Sequence, residues 1–162
     1  IDTIASLGDN LRSYLEGHAY QKEEIDLLEL LKERIAIFEK LYPNIAFSLD
    51  GATLLVEVNH DAMVRIIDNI LSNAAKYNKI DGFVKIDIDA NQKTLRIEDS
   101  GKGIKNPKMV FERFYKEQER GMGIGLHIVK KFCDALKITI ELESEISKGS
   151  VFTLHLNTIA KG

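Results

Sequence analysis

The chain holds a single cysteine, Cys133, so an internal disulfide is impossible and a reducing compartment is the natural setting. Its formal net charge is only −3, which argues against broad nucleic-acid binding. No apolar run reaches the ~18 residues that a membrane helix needs. The opening residues IDTIASLGDN lack the basic start and apolar centre of a secretion signal. There is no internal repeat and no low-complexity stretch. What is present is ordinary for a globular domain: 162 residues, 44% hydrophobic and 29% charged. The first residue is Ile1, in sequence that reads as mid-helix, so the expectation is a segment of a longer protein.

Residues 1–16 place Ile4, Leu7, Leu11 and Tyr14 on one helical seam. Such a seam suits a helix packed on its own domain, or the end of a longer helix paired with a partner. After the polar break EGHAYQK, residues 23–27 read as a short strand. Residues 28–42 form an amphipathic pattern stopped by Pro43. IAFSLD and LLVEVN flank GAT and read as a hairpin or meander. Residues 61–77 read as helix. FVKIDIDA and TLRIED alternate around NQK, a second hairpin with one buried face. Residues 100–123 are irregular. Residues 126–136 are helical, with Leu126, Val129, Cys133 and Leu136 on one face. ITIELES and SVFTLHLN around KGS close the chain as a third hairpin. The expected class is α+β: a two-layer α/β sandwich, its mixed and mostly antiparallel sheet covered by helices, preceded by a helical segment.

The stretch NILSNAAKYN, residues 69–78, carries three asparagines, although asparagine competes with the helix for backbone hydrogen bonds. At 100° per residue, with Asn69 at zero, Asn73 lies at about 40°, Lys76 near −20° and Tyr77 near 80°. Met63, Ile66, Ile67, Ile70, Leu71 and Ala74 fill the arc from about 60° to 200°. The four polar residues therefore edge an apolar face, half desolvated and held still. An amide oxygen there suits Mg²⁺, which takes oxygen ligands and leaves the rest to phosphates and water. Lys76 complements phosphate. Taken alone, a solvated helix face accounts for the same pattern.

Two glycine-rich stretches follow. IEDSGKGI, residues 97–104, leaves a strand with Asp99, an acceptor for an exocyclic amine or a water. Its glycines permit close backbone approach to a flat ligand. GMGIGLHIV, residues 121–129, opens a helix with three alternate glycines whose N–H groups, with the helix N-terminus, make an anion site. It is not a Walker loop, which needs Gly-Lys-Ser/Thr, nor a dinucleotide fingerprint, which needs a preceding strand. A plain hinge is the alternative. Between them FERFYKEQER reads as a lid, with Phe111 and Phe114 pinning it to the body. Arg113 and Arg120 are candidates to meet phosphate oxygens, although exposed arginines on a loop are common in any case.

In this order, the asparagine helix, the strand with Asp-x-Gly-x-Gly, the Phe-x-x-Phe lid and Gly-x-Gly-x-Gly-Leu resemble the ATP-binding catalytic domain of bacterial sensor histidine kinases. That superfamily is shared with gyrase, the Hsp90 chaperone and the mismatch-repair ATPase MutL. The resemblance runs from about residue 23 to 158. It implies ATP and Mg²⁺ as the bound species. It implies a catalytic group of Asn69, Asn73 and Lys76, with Asn73 the metal ligand. Tyr77 lies beside the nucleotide and Asp99 reads the adenine amino group. Gly101, Gly103 and Ile104 match the first glycine box, and Phe111, Arg113 and Phe114 the phenylalanine box. Gly121, Gly123, Gly125 and Leu126 match the second glycine box, under the phosphates. Residues 1–20 then resemble the C-terminal part of a dimerisation and phosphotransfer helix, and 21–162 the catalytic domain.

The implied reaction moves the ATP γ-phosphoryl to a histidine and onward to a response regulator. The implied partners are that regulator and the protein's own phosphotransfer hairpin, in a homodimeric full-length protein, with no nucleic acid. The implied location is cytoplasmic, compatible with a full-length protein anchored in the inner membrane. Two departures stand out. The lid from Phe114 to Gly121 is short, and no acceptor motif is present. His18, His127 and His155 lack a following acid, while His60-Asp61 opens the asparagine helix and reads as a cap. The acceptor is expected upstream of Ile1. The rival expectations are a serine kinase of the anti-sigma type, and a nucleotide-binding or interaction module without catalysis.

Overall fold

The structure, a computed structural model, describes residues 21–104, 107, 111 and 124–161. In chain order its elements are β1 (Glu23–Asp26), α1 (Leu27–Leu41), β2 (Ala46–Gly51), β3 (Leu55–Val58), α2 (His60–Lys76), β4 (Phe83–Asp89), β5 (Thr94–Asp99), α3 (Ile124–Leu136), β6 (Thr139–Glu145) and β7 (Gly149–His155). The helical seam expected in residues 1–16 lies outside the described residues, as does the rest of the segment before residue 21.

The period-two stretches become strands because one face of each can be buried. Val84, Ile86 and Ile88 of β4 and Leu95 and Ile97 of β5 point into the core, while Lys85, Asp87 and Arg96 point out. Ile86 stands opposite Ile97, and β7 extends the ladder with Phe152 opposite Ile97. The main sheet runs β2-β4-β5-β7-β6. Only β2–β4 is parallel; β4–β5, β5–β7 and β6–β7 are antiparallel. The expected mixed, mostly antiparallel sandwich is therefore observed, including both later hairpins.

The first expected hairpin is not. β2 joins the main sheet beside β4, whereas β3 pairs antiparallel with β1 in a separate two-stranded sheet. The glycine of GAT explains the difference. Gly51 ends β2 with φ +118°, and a Cβ there would stand 2.3 Å from the Ile88 carbonyl oxygen. It serves close approach to β4, not a turn back onto β2. β3 takes its other hydrogen bonds from the C-terminal turn, Glu57 N to Ile159 O at 2.8 Å and Lys161 N to Leu55 O at 2.8 Å.

The helices cover the inner face. In α2, Ala62, Met63, Ile66, Ile67, Ile70 and Leu71 have no exposed surface, each large side chain contributing about 1.5–3 kcal/mol on burial. Asn59 caps the helix: its Oδ1 accepts from Ala62 N at 2.9 Å. His60 is thus the first helical residue, as the cap reading of His60-Asp61 expects. In α3, Leu126, Val129, Phe132 and Cys133 are buried, with Leu136 half-buried. Arg34 of α1 grips Asp68 of α2 through Nε to Oδ1 at 2.9 Å and Nη2 to Oδ2 at 2.6 Å. That fork raises the Arg34 pKa further above its ordinary value.

Two outcomes follow for stability. Arg34→Ala removes a partly exposed, bidentate ion pair and is expected to lower unfolding free energy by about 1 kcal/mol, read from urea titration. Burial lifts the Cys133 thiol from an ordinary 9.0 to about 12. A neutral thiol preferred by the fold stabilises it fully below pH 9, and that contribution declines as pH rises toward 12. At pH 8 the native protein should resist iodoacetamide for as long as it stays folded and be alkylated promptly in urea, as mass spectrometry would show.

Candidate functional site

The apolar stripe of α2 fixes the position of its polar edge. Because Ile66, Ile67, Ile70 and Leu71 are fully buried, Asn69, Asn73 and Tyr77 come to rest half-buried, and Lys76 is exposed beside them. The Lys76 ammonium lies 5.7 Å from the centre of the Tyr77 ring. Asn69 Nδ2 donates to the Arg65 carbonyl at 2.9 Å. Its Oδ1 lies 3.7 Å from where a Cβ would stand on Gly125, in the first turn of α3. Among the described residues the Asn73 side-chain amide makes no hydrogen bond.

The first glycine stretch meets the other end of the same helix. Asp99, the last residue of β5, is 7% exposed, and its Oδ1 accepts from Gly101 N at 2.8 Å. Burial of a carboxylate is tolerated where N–H donors hold it. A Cβ on Gly101 would stand 2.7 Å from the Tyr77 carbonyl oxygen, so only glycine lets β5 close onto α2. Lys102 N then donates to Tyr77 O at 3.2 Å. Gly103 has φ +78°, and a Cβ there would meet Glu145 O at 2.1 Å. Ile104 is buried, and its N–H donates to Ser144 Oγ at 2.6 Å. Ser147 N donates to Lys102 O at 2.8 Å. The space these two glycines leave is occupied by the protein's own backbone, which fastens the loop between α2 and the β6–β7 turn.

Phe111 packs edge-on to Phe152, ring centres 6.3 Å apart, which is the pinning expected of it. Leu126, in the first turn of α3, is buried. Arg113, Phe114, Arg120, Gly121 and Gly123 lie outside the described residues. The structure thus brings Gly125 beside Asn69 and Gly101 beside Tyr77, at the two ends of a stretch of α2 that also carries Asn73, with Asp99 held against Gly101. Asn69 and Tyr77 are eight residues apart, about 12 Å of helix.

The donor set fits Mg²⁺ held by a nucleotide. Asn73 offers one neutral oxygen from a half-buried edge, and no cluster of three or more His, Cys, Asp or Glu able to cage a metal occurs among the described residues. A Mg²⁺ held through one protein oxygen takes its remaining ligands from phosphate and water. Two side chains that tie the loops of the site together were given no role by the sequence. Asn78 turns its amide inward onto the Ala74 and Phe83 carbonyls. Ser144 joins Ile104 N, Gly149 O and Ser150 Oγ. Only Asn78 had a sequence signal, as the third asparagine of the segment.

Comparison with known proteins gives the family. Residues 58–159 match the model of the histidine kinase-, DNA gyrase B- and HSP90-like ATPases. The sensor histidine kinase WalK of Bacillus subtilis is 33% identical over 157 residues, covering 90% of this chain and 24% of WalK. The sensor protein RprX of Bacteroides fragilis is 29% identical over 83% of this chain and 29% of its own length. The chain thus spans well under half of these relatives. Among solved structures, the mycobacterial sensor histidine kinase MprB superposes with TM-score 0.75 at 25% identity, over 86% of this chain and 97% of that one. The catalytic domain of histidine kinase ThkA gives 0.71 at 26% identity, over 82% and 93%. The chain belongs to the histidine kinase-, DNA gyrase B- and HSP90-like ATPase family, as an ATP-binding domain of the sensor histidine kinase kind, and the matched span includes the asparagine-edged helix and the buried Asp99.

Proposed function

We propose that this domain transfers the ATP γ-phosphoryl to a histidine imidazole carried on a helical hairpin upstream of Ile1, from which a response-regulator aspartate takes it. The observation that carries the reading is that one stretch of α2 meets both glycine segments, Gly125 beside Asn69 and Gly101 beside Tyr77. A ligand laid along that edge has a base reader at one end and a helix N-terminus at the other.

In this reading Asp99 accepts from the exocyclic amine of adenine. Tyr77 and Lys76 flank the nucleotide, and Lys76 offsets phosphate charge. Asn73 supplies the protein's oxygen to Mg²⁺, which neutralises charge on the phosphates when bound. Gly121, Gly123 and Gly125 would offer N–H groups to the phosphates with Leu126 beside them, and Phe111, Arg113 and Phe114 would belong to the nucleotide-binding segment that Phe111 anchors on Phe152. Phosphoryl transfer asks mainly for positioning and charge neutralisation. The bond from the γ-phosphorus to its bridging oxygen breaks, a phosphorus–nitrogen bond to the imidazole forms, and ADP leaves. The imidazole is its own nucleophile. Asn69, an amide whose Nδ2 is committed to Arg65 O, has no basic group with which to activate water. The full-length protein is read as a cytoplasmic-facing homodimer. No helix among the described residues is long and apolar enough to cross a membrane.

Three measurements test this. Calorimetry with Mg²⁺–AMP-PNP should show binding that weakens when Mg²⁺ is chelated. Asp99→Ala should weaken it by roughly 10–100-fold, the worth of about 1.5–3 kcal/mol for a charged hydrogen bond; no binding by the wild-type chain would leave only an interaction module. Asn69→Glu should raise phosphate release from a slow basal rate, and a fast basal rate in the wild type would overturn the role given to the amide. Full-length protein incubated with radiolabelled ATP should carry acid-labile, alkali-stable phosphate, the behaviour of a phosphoramidate. Acid-stable phosphate would point to the serine-kinase reading instead.

A further inference from the structure

Asn78 is the asparagine of the NILSNAAKYN stretch that the nucleotide reading leaves unused. It sits one residue beyond Tyr77, and its amide is saturated. Nδ2 donates to Ala74 O at 3.0 Å and to Phe83 O at 2.9 Å. Oδ1 accepts from Lys79 N at 2.8 Å and from Ser100 Oγ at 2.9 Å. Two donors and two acceptor positions are all that an amide has. Ser100, itself 4% exposed, accepts in turn from Phe83 N at 2.8 Å. The last turn of α2, the start of β4 and the end of β5 therefore meet on one side chain.

The neighbours of this hub give it meaning. Asn78 follows Lys76 and Tyr77 directly, and Ser100 lies between Asp99 and Gly101. The hub thus joins the residue next to the polar edge of α2 to the residue next to the base-reading carboxylate. Gly82 is shaped around it: a Cβ there would stand 2.1 Å from Asn78 Oδ1 and 2.7 Å from Ser100 Oγ. No side chain fits at that position without displacing the junction.

We propose that Asn78, acting through Ser100, is a positioning residue that fixes the spacing between Asp99 and the Asn73–Lys76 edge of α2. This rests on the nucleotide reading of the site. A ligand whose two ends engage two fixed subsites gains from their being held at its own length, an effective-concentration effect that each half alone does not feel. Loosening the hub lowers the affinity of the joined ligand and leaves that of each half intact.

The test titrates the chain with three probes, adenosine, Mg²⁺–triphosphate and Mg²⁺–AMP-PNP, followed by chemical-shift change. The variants are Asn78→Ala, which removes the whole hub, and Ser100→Ala, which removes one link and is the milder change if the first does not fold. Gly82→Ala keeps every hub atom and pushes two of them apart. Arg34→Ala, at the α1–α2 ion pair, controls for lost stability. Hub variants that fold should bind each half within about twofold of wild type, and AMP-PNP about tenfold or more weaker, since misplacing groups by an ångström is enough for such losses. Arg34→Ala should lower the melting temperature and keep all three affinities. Hub variants that bind AMP-PNP as wild type does would overturn the proposal, as would an equal loss for a half and the whole. A wild-type chain that binds none of the three probes would instead overturn the nucleotide reading, and the proposal with it.

Discussion

The burial of α2 along a stripe of limited width is the constraint on which the site depends. Met63, Ile66, Ile67, Ile70 and Leu71 have no exposed surface, so the rotation of the helix about its axis is fixed by packing. A turn of some tens of degrees either way would drown Asn69 and Asn73 in the core or release them to solvent. Held at the margin, their amides are partly desolvated and still open to solvent. The apolar residues in this sense set where the polar edge stands.

The same helix reaches the rest of the site by backbone contact. Tyr77 O takes Lys102 N, and the bare Cα of Gly101 lets that contact form. Gly103 and Ile104 are fastened on the far side by Glu145, Ser144 and Ser147. A carboxylate at the end of a strand is a poor reader of hydrogen-bond geometry if the strand end frays. Here the residues after Asp99 are bound on both flanks, and Asp99 itself is held by Gly101 N. On the proposed reading, such preorganisation would remove ordering costs that otherwise subtract from affinity.

What the sequence made legible was whatever carried a period. The alternation in residues 83–89 and 94–99 places every inward side chain correctly, and the 100° wheel of residues 61–77 separates buried Ile70 from half-buried Asn69 and Asn73. Pro43 ends a helix where expected. What stayed hidden was pairing between distant segments. IAFSLD and LLVEVN alternate as hairpin arms do, yet the partner of β2 is β4 and that of β3 is β1, and neither choice leaves a local mark. The glycines mislead for the same reason. Gly51, Gly101 and Gly103 each permit a close approach, but the group approached is the protein's own backbone, at Ile88, Tyr77 and Glu145. The Ser144 junction has no sequence signature, since a serine at the end of a polar strand is commonplace.

On the proposed reading, the amides of this edge suit what phosphoryl transfer to a nitrogen nucleophile does and does not need. A carboxylate at position 69 would add negative charge beside phosphates and would hold a water in reach of the γ-phosphorus. An amide adds none, and the one at Asn69 has its N–H₂ group tied to Arg65 O, which leaves the oxygen facing the first turn of α3. Asn73, by contrast, has no side-chain hydrogen-bond partner among the described residues. On the proposed reading, one asparagine fixed by its own helix and one left open would divide the work: the first would keep the site inert toward water, and the second would be available to a metal-bound polyphosphate. That division holds only while the two stay a single turn apart on the same half-buried margin, which brings the chemistry back to the packing of Ile66, Ile70 and Ala74 behind them.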